Sequence, residues 1–319
     1  MTIKNIRGWF AMFSITLLIV FVFTACSDDE EDPYIPPPIV NPTPLAVGSM
    51  KAGAVSETSI RIQWEHSPSR DSSWFEEYHV EVIPPPPLVS WFDTVSKSSN
   101  AVTFTGLSNA TVYIFKVTAV SDSGKVSPAK EIEWAASKHF NTTSGNPIRV
   151  YGAASSFGSG LRLFNGTEPE VFNVAQGANW HLGLLARNDT LWFGSASVIG
   201  PKFNSWTNPT LTPVYIGDVY YDESTLGLTG DNYYQALNTM TFTAKHIDLK
   251  ESSIAAKSQG LVFFVRVGSN HATANYAKVI VRKSGGAYLQ GTSPNQYIEV
   301  VVSYQTAAGV PYAKIFAGK

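Results

Sequence analysis

Cys26 is the only thiol in a chain of 319 residues, and its surroundings decide what that sulfur can do. Lys4 and Arg7 form a short basic region, and the run from Trp9 to Phe23 is apolar. That run is too short for the ~20 apolar residues of a membrane-spanning helix and ends in the small pair Thr24-Ala25, as a secretory signal does. The other reading of Cys26 is a buried or stray thiol at the end of an uncleaved anchor. A second group with chemical capacity is Asp218, Asp222, Glu223 and Asp231, set among Tyr215, Tyr220, Tyr221, Tyr233 and Tyr234 and the glycines 217, 227 and 230. Carboxylates among aromatic rings can hold a sugar by stacking and hydrogen bonding, or hydrolyse it by acid–base chemistry. Read without function, the same stretch is a solvated loop with core tyrosines, and it lacks the Asp-x-Asp spacing of a calcium loop. Gly194-Ser195-Ala196-Ser197 lacks the closing glycine of a nucleophile elbow. Neither a phosphate-cradling glycine loop nor a His-Glu-x-x-His zinc motif occurs. The expectation is therefore a protein that is not an enzyme and needs no cofactor.

Phe23-Thr24-Ala25-Cys26 resembles the lipobox of bacterial lipoproteins, with Phe23 in place of the more usual Leu. The resemblance implies a signal peptide over 1–25, cleavage before Cys26 and diacylation of its thiol, palmitate being a typical acyl group. The acidic run from Ser27 to Asp32 resembles the export signal behind the lipidated cysteine in surface-exposed lipoproteins of some Gram-negative bacteria. This implies attachment to the cell outer membrane with outward display; the plainer reading is a soluble spacer. Pro33, Pro36, Pro37, Pro38, Pro42 and Pro44 then favour an extended, polyproline-like chain. A dozen such residues at ~3.1 Å each span roughly 35–40 Å. A stiff spacer is the preferred reading over a ligand for a proline-recognising domain.

The elements beyond this linker must be strands. Of the chain, 44% is hydrophobic, 13% is aromatic and only 15% is charged, with 24 Gly and 19 Pro. This composition favours two β-domains, each with its own core, over helices or disorder. The formal charge of −2 has no basic block behind it, which removes the electrostatic footprint of a nucleic-acid partner. With one cysteine there is no intrachain disulfide. The expected organisation is a signal over 1–25, an acidic and Pro-rich linker over 26–41, a first domain over 42–137 and a second over 138–319.

In the first domain Ile60, Ile62 and Trp64 alternate with Arg61 and Gln63, and Tyr78, Val80 and Val82 with Glu77, His79 and Glu81. Tyr113, Phe115, Val117 and Ala119 alternate in the same way, so three half-buried strands call for an antiparallel sandwich. The stretch Gly106-Leu107-Ser108-Asn109-Ala110-Thr111-Val112-Tyr113-Ile114-Phe115 and its continuation resemble the E-to-F signature of fibronectin type III domains. The resemblance implies that Leu107 plugs the core, that Tyr113 bonds through its hydroxyl to nearby backbone, and that Trp64 is the core tryptophan of the second strand. Ser127-Pro128 before Ile132-Glu133-Trp134 matches the start of the last strand. Such modules serve as spacers or interaction platforms. Pro84-Pro85-Pro86-Pro87 cannot donate to a central ladder and predicts an edge or protruding loop. Trp91 and Phe92 behind it are then a candidate exposed contact, or pack back on their own sheet.

The second domain reads as strands over 148–153, 160–164, 180–185, 190–195, 239–244, 261–267, 276–282 and 297–304, the last three forming a meander. A sandwich or open barrel is expected, making the whole chain all-β. Ala274-Asn275-Tyr276-Ala277-Lys278-Val279 and Asn179-Trp180-His181-Leu182-Gly183-Leu184 resemble segments of HmuY-like haem-binding surface lipoproteins, with His181 where that family usually has an acidic residue. The resemblance implies haem held by two axial ligands, for which His181, His246, His271 and Met240 are the candidates, with His139 at the domain edge. The leading expectation is a lipid-anchored surface protein displaying a β-domain that binds a glycan or protein. Haem capture and glycan processing are the alternatives.

Overall fold

The computed structural model describes residues 42–137, 139–142, 146–174, 179–187, 189–204, 211–220, 240–251 and 260–311. Residues 1–41, Cys26 among them, and Tyr221, Asp222, Glu223, Asp231, Tyr233 and Tyr234 lie outside them. Alternation builds the first sandwich. Its strands are β1 (Met50–Ser56), β2 (Ser59–Trp64), β3 (Phe75–Ile83), β4 (Trp91–Ser96), β5 (Ala101–Phe104), β6 (Val112–Ser121) and β7 (Lys130–Ala135). They form a three-stranded sheet ordered β1-β2-β5 and a four-stranded sheet ordered β4-β3-β6-β7, every pair antiparallel. The period-two residues Ile60, Ile62, Trp64, Tyr78, Val80, Val82, Phe115 and Val117 meet between the sheets in one buried cluster. Trp64 stands edge-on to Tyr78 with ring centroids 5.4 Å apart. Leu107 is buried in the same cluster, and the Tyr113 hydroxyl accepts the Ser108 N–H at 2.9 Å. That bond ties the turn before β6 to the strand itself. Tyr113→Phe keeps the ring and leaves the Ser108 N–H without this acceptor, so urea unfolding is expected to show a loss of ~1–2 kcal/mol.

The second sandwich comprises β8 (His139–Asn141), β9 (Ile148–Tyr151), β10 (Gly160–Arg162), β11 (Glu170–Phe172), β12 (Leu182–Arg187), β13 (Thr190–Ser195), β14 (Val214–Tyr220), β15 (His246–Asp248), β16 (Gly260–Val267), β17 (Asn275–Arg282) and β18 (Tyr297–Gln305). One sheet is ordered β11-β10-β12-β13-β15; the other is β14-β16-β17-β18-β8, with β9 also paired to β18. Neither sheet closes into a barrel. The meander is present as β16, β17 and β18, whereas 239–244 contributes only an isolated bridge, Ile216 to Thr243, and the strand there is β15. Leu182, Leu184 and Phe193 of one sheet face Phe263, Val279 and Val300 of the other, and Phe193 meets Phe263 edge-on at 6.1 Å. All of β16 is buried on both faces, because Val262 packs with Ile280 and Val301 on the side away from this core. Antiparallel sheets often leave one face wet; along β16 this one does not.

Behind the first of these sheets Trp180 is fully buried, edge-on to Phe203 at 6.2 Å and capped by α1 (Ala196–Ile199). Its ring lies where two glycines leave room: a Cβ on Gly160 would stand 2.6 Å from Trp180 Cγ, and one on Gly183 would stand 2.5 Å from Cζ3. No described helix is long and apolar enough to cross a membrane.

The two sandwiches meet through the segment after β18. Gln305 Nε2 donates to Ser137 Oγ, and Ala307 N–H donates to Gln305 Oε1 at 3.1 Å. Gly309, at φ +74°, donates its N–H to Ala274 O at 2.8 Å and passes so close to Ala272 that a Cβ would stand 2.4 Å from its carbonyl oxygen. The next residue, Val310, is 2% exposed and, with Ala307 against it, belongs to the core cluster of the first sandwich.

Candidate functional site

Pro84 to Pro87 end β3 as missing donors must, and Leu88 N–H closes the turn on Pro85 O at 3.3 Å. The chain returns as β4, with Trp91 opposite Val82 and Phe92 opposite Glu81. β4 is the edge of its sheet, and among the described residues no strand pairs with its outer side. Its burial departs from the alternation of β2, β3 and β6, since only Val95 is buried. Leu88 is 59%, Val89 82%, Trp91 41% and Phe92 64% exposed, an apolar run broken only by Ser90 that leads into an open strand edge. Trp91 turns to the core side and meets Tyr113 edge-on at 6.4 Å; Phe92 lies on the outer side, tilted over His79 at 5.5 Å. The two rings thus straddle the strand. His79 is fixed in turn by Glu77, Nε2 to Oε1 at 2.9 Å. On the side of Phe92 a groove of about 230 Å³ is lined by His79, Glu81, Ser90, Trp91, Phe92 and Thr118. A positioned indole, an exposed phenyl ring and unpaired backbone can take up an extended chain with an apolar side chain, and a natural protein seldom leaves such an edge bare.

The four haem candidates are dispersed. His181 precedes β12 and is enclosed; its Nδ1 accepts the Leu163 N–H at 3.2 Å. The proton of the neutral ring therefore sits on Nε2, which leaves that nitrogen a donor and not a ligand. Burial, with the Arg162 charge beside it, lowers its pKa to about 4. His246 lies in β15 and stacks on Trp192 at 4.2 Å. His271 and Met240 do approach a common cluster around Phe242 and Tyr276 on the other sheet. There His271 Nδ1 bonds the Tyr276 hydroxyl at 2.8 Å and Nε2 takes a hydrogen bond from Arg266. The Met240 sulfur accepts the Asp218 N–H at 3.4 Å. An axial haem ligand needs a free nitrogen or sulfur lone pair facing an apolar slot, and this arrangement does not fit that requirement. His139 lies in β8 at a sheet edge.

Of the carboxylate and tyrosine group, Tyr215, Asp218 and Tyr220 fall in β14, a strand where a loop is the simpler reading of the sequence. A bulge between Ile216 and Val219 explains this, since it breaks the alternation and leaves Asp218 exposed. Tyr215 lies under the Arg266 guanidinium at 4.6 Å. No group of three His, Cys, Asp or Glu able to hold a metal is present among the described residues. A second concave surface escapes sequence reasoning altogether: Arg149, Arg282 and Glu299 come from three strands up to 150 residues apart, and only the register brings them into line.

Comparison with known proteins locates the resemblance. Residues 45–134 match the model of the fibronectin type III domain. Among solved structures, the third fibronectin III domain of human KIAA0343 protein is 18% identical, with 32% of this chain and 90% of that one covered and a TM-score of 0.28. The fibronectin domain of human collagen XX is 17% identical over 30% of this chain and 98% of that one, with a TM-score of 0.24. The fifth such domain of Drosophila Lar is 22% identical over 28% and 96%, with a TM-score of 0.23. No curated protein matches the chain.

Proposed function

We propose that the protein is a lipid-anchored, non-enzymatic surface protein of a bacterial outer membrane that captures an extended segment of another protein along β4. The observation that carries this reading is the bare edge itself: four exposed apolar side chains in five positions, at and just before the edge strand of a fibronectin type III sandwich. Cys26, the acidic run behind it and the proline spacer supply anchor and reach. Haem capture is not retained, because the ring nitrogens of His181 and His271 are committed to protein partners.

Two measurements test it. Cys26→Ser is expected to move the protein from the membrane to the soluble fraction and to abolish labelling by radioactive palmitate. Retention with an unprocessed N-terminus would mean a simple anchor instead. Selection of a random peptide library on the full chain is expected to yield peptides with alternating apolar residues that bind the wild type and fail against Val89→Lys/Phe92→Lys. Both changes are at exposed positions, where folding cost is small. A library that yields no peptide dependent on this edge rules the capture reading out.

A further inference from the structure

The outward face of β9, β17 and β18 carries a row of charges set by register. Arg282 stands opposite Glu299, and Glu299 stands opposite Arg149 on the next strand. Arg149 Nε lies 3.5 Å from Glu299 Oε1, and its guanidinium carbon lies 4.6 Å above the Tyr297 ring. Lys283 follows Arg282, with its ammonium 4.8 Å from the Tyr288 ring centre. Around this row opens a cleft of about 770 Å³ lined by Asn146, Pro147, Arg149, Tyr151, Arg282, Lys283, Ser284 and Glu299. That is the size of a small-ligand site. Three cations against one carboxylate make it locally positive in a chain whose formal charge is −2. Its field therefore draws anions, and a carboxylate or sulfate can engage a guanidinium fork through two parallel hydrogen bonds.

One side of the cleft continues as aromatic surface. Tyr297 meets Tyr151 at 5.5 Å, and Tyr151 meets Phe157 at 5.0 Å, the last ring being exposed. A simple phosphate or sulfate ion would use the cations and have no use for this row. A polyanionic strand of nucleic acid would need a longer basic track than three side chains. What uses both halves is a ring with an apolar face and a charged substituent, with hydroxyls left over for Asn146 and Ser284. We propose that this cleft binds an acidic saccharide, its carboxylate or sulfate on Arg282, Lys283 and Arg149 and its ring face on Tyr151 and Phe157. Glu299 holds Arg149 in position over Tyr297 and is a positioning residue. The site lies on the second sandwich and is independent of peptide capture along β4.

The test is calorimetric titration of the purified full chain with five probes: a uronate oligosaccharide, a sulfated oligosaccharide, a neutral maltohexaose, a single-stranded DNA oligonucleotide and inorganic sulfate. Saturable binding of one or both acidic saccharides is expected, with none to maltohexaose, and the tighter of the two identifies the charged group. Arg282→Gln/Lys283→Gln is expected to weaken that binding at least about tenfold. Lys283→Gln alone, which spares Arg282, is expected to weaken it several-fold and guards against a folding defect in the double variant. Tyr151→Ser/Phe157→Ser is expected to cost about fivefold for the saccharide and nothing for inorganic sulfate. The proposal fails if neither acidic saccharide binds, if the double variant binds as wild type does, or if the DNA binds as tightly as the saccharide.

Discussion

Trp180→Ala is expected to remove ~3–5 kcal/mol of stability, read as a fall in the urea midpoint at unchanged slope. The ring is fully buried and bounded by Phe203, α1 and the backbone of two strands. Those strands face it with Gly160 and Gly183, which have no side chain to lean into the vacated space, so the cavity stays nearly whole. Gly183→Ala attacks the same contact from the other side, because its new methyl would stand 2.5 Å from the ring and 3.1 Å from Ile199. Overpacking of this kind costs ~1–3 kcal/mol. The informative variant is the double one. With the indole gone, the alanine methyl occupies part of the hole, so Trp180→Ala/Gly183→Ala is expected to lose clearly less than the sum of the singles. Strict additivity would show that ring and glycine are not complementary.

Acidification from pH 6.5 to 4 is expected to cost about 3 kcal/mol through His181 alone. Burial, and secondarily the charge of Arg162, lowers the folded pKa to about 4 from the ordinary 6.5. Between those values the unfolded chain binds a proton that the folded ring refuses, so stability rises with pH across the window. It is fully present above pH 6.5 and is lost as pH falls through the folded pKa. His181→Gln keeps an acceptor for the Leu163 N–H and removes the titration, so its stability should be flatter with pH than that of the wild type over this interval. The ring C2 proton signal gives a direct check: a midpoint near 6.5 in the folded protein would refute the assignment.

Strands with regular alternation could be read, and so could the long apolar runs of β16, β17 and β18, buried though they are; where the alternation is interrupted, the sequence could not be read. β2, β3 and β6 follow from Ile60, Tyr78 and Tyr113 and their period-two partners, and Thr190–Ser195 is found as expected. β14 hides because the bulge at Gly217 and Asp218 puts a carboxylate and a tyrosine where a loop reading is simpler. The open edge at Trp91 was legible, because four successive prolines can stand only at a margin. The row Arg149, Glu299 and Arg282 was not, since pairing register between distant strands leaves no local trace. Nor does a sequence say which imidazole lone pair is spent; His181 and His271 look like ligands until their hydrogen-bond partners are seen.

Val310 gives the molecule an order in time. The first sandwich is synthesised early, yet one place in its core is filled by a side chain made some 170 residues after β7 is complete. The core of the first sandwich is therefore complete only when the segment after β18 is in place. The segment from Gln305 to Val310 acts as a latch between the two sandwiches, so a chain cut short within the second sandwich is expected to leave the place of Val310 in the first core empty.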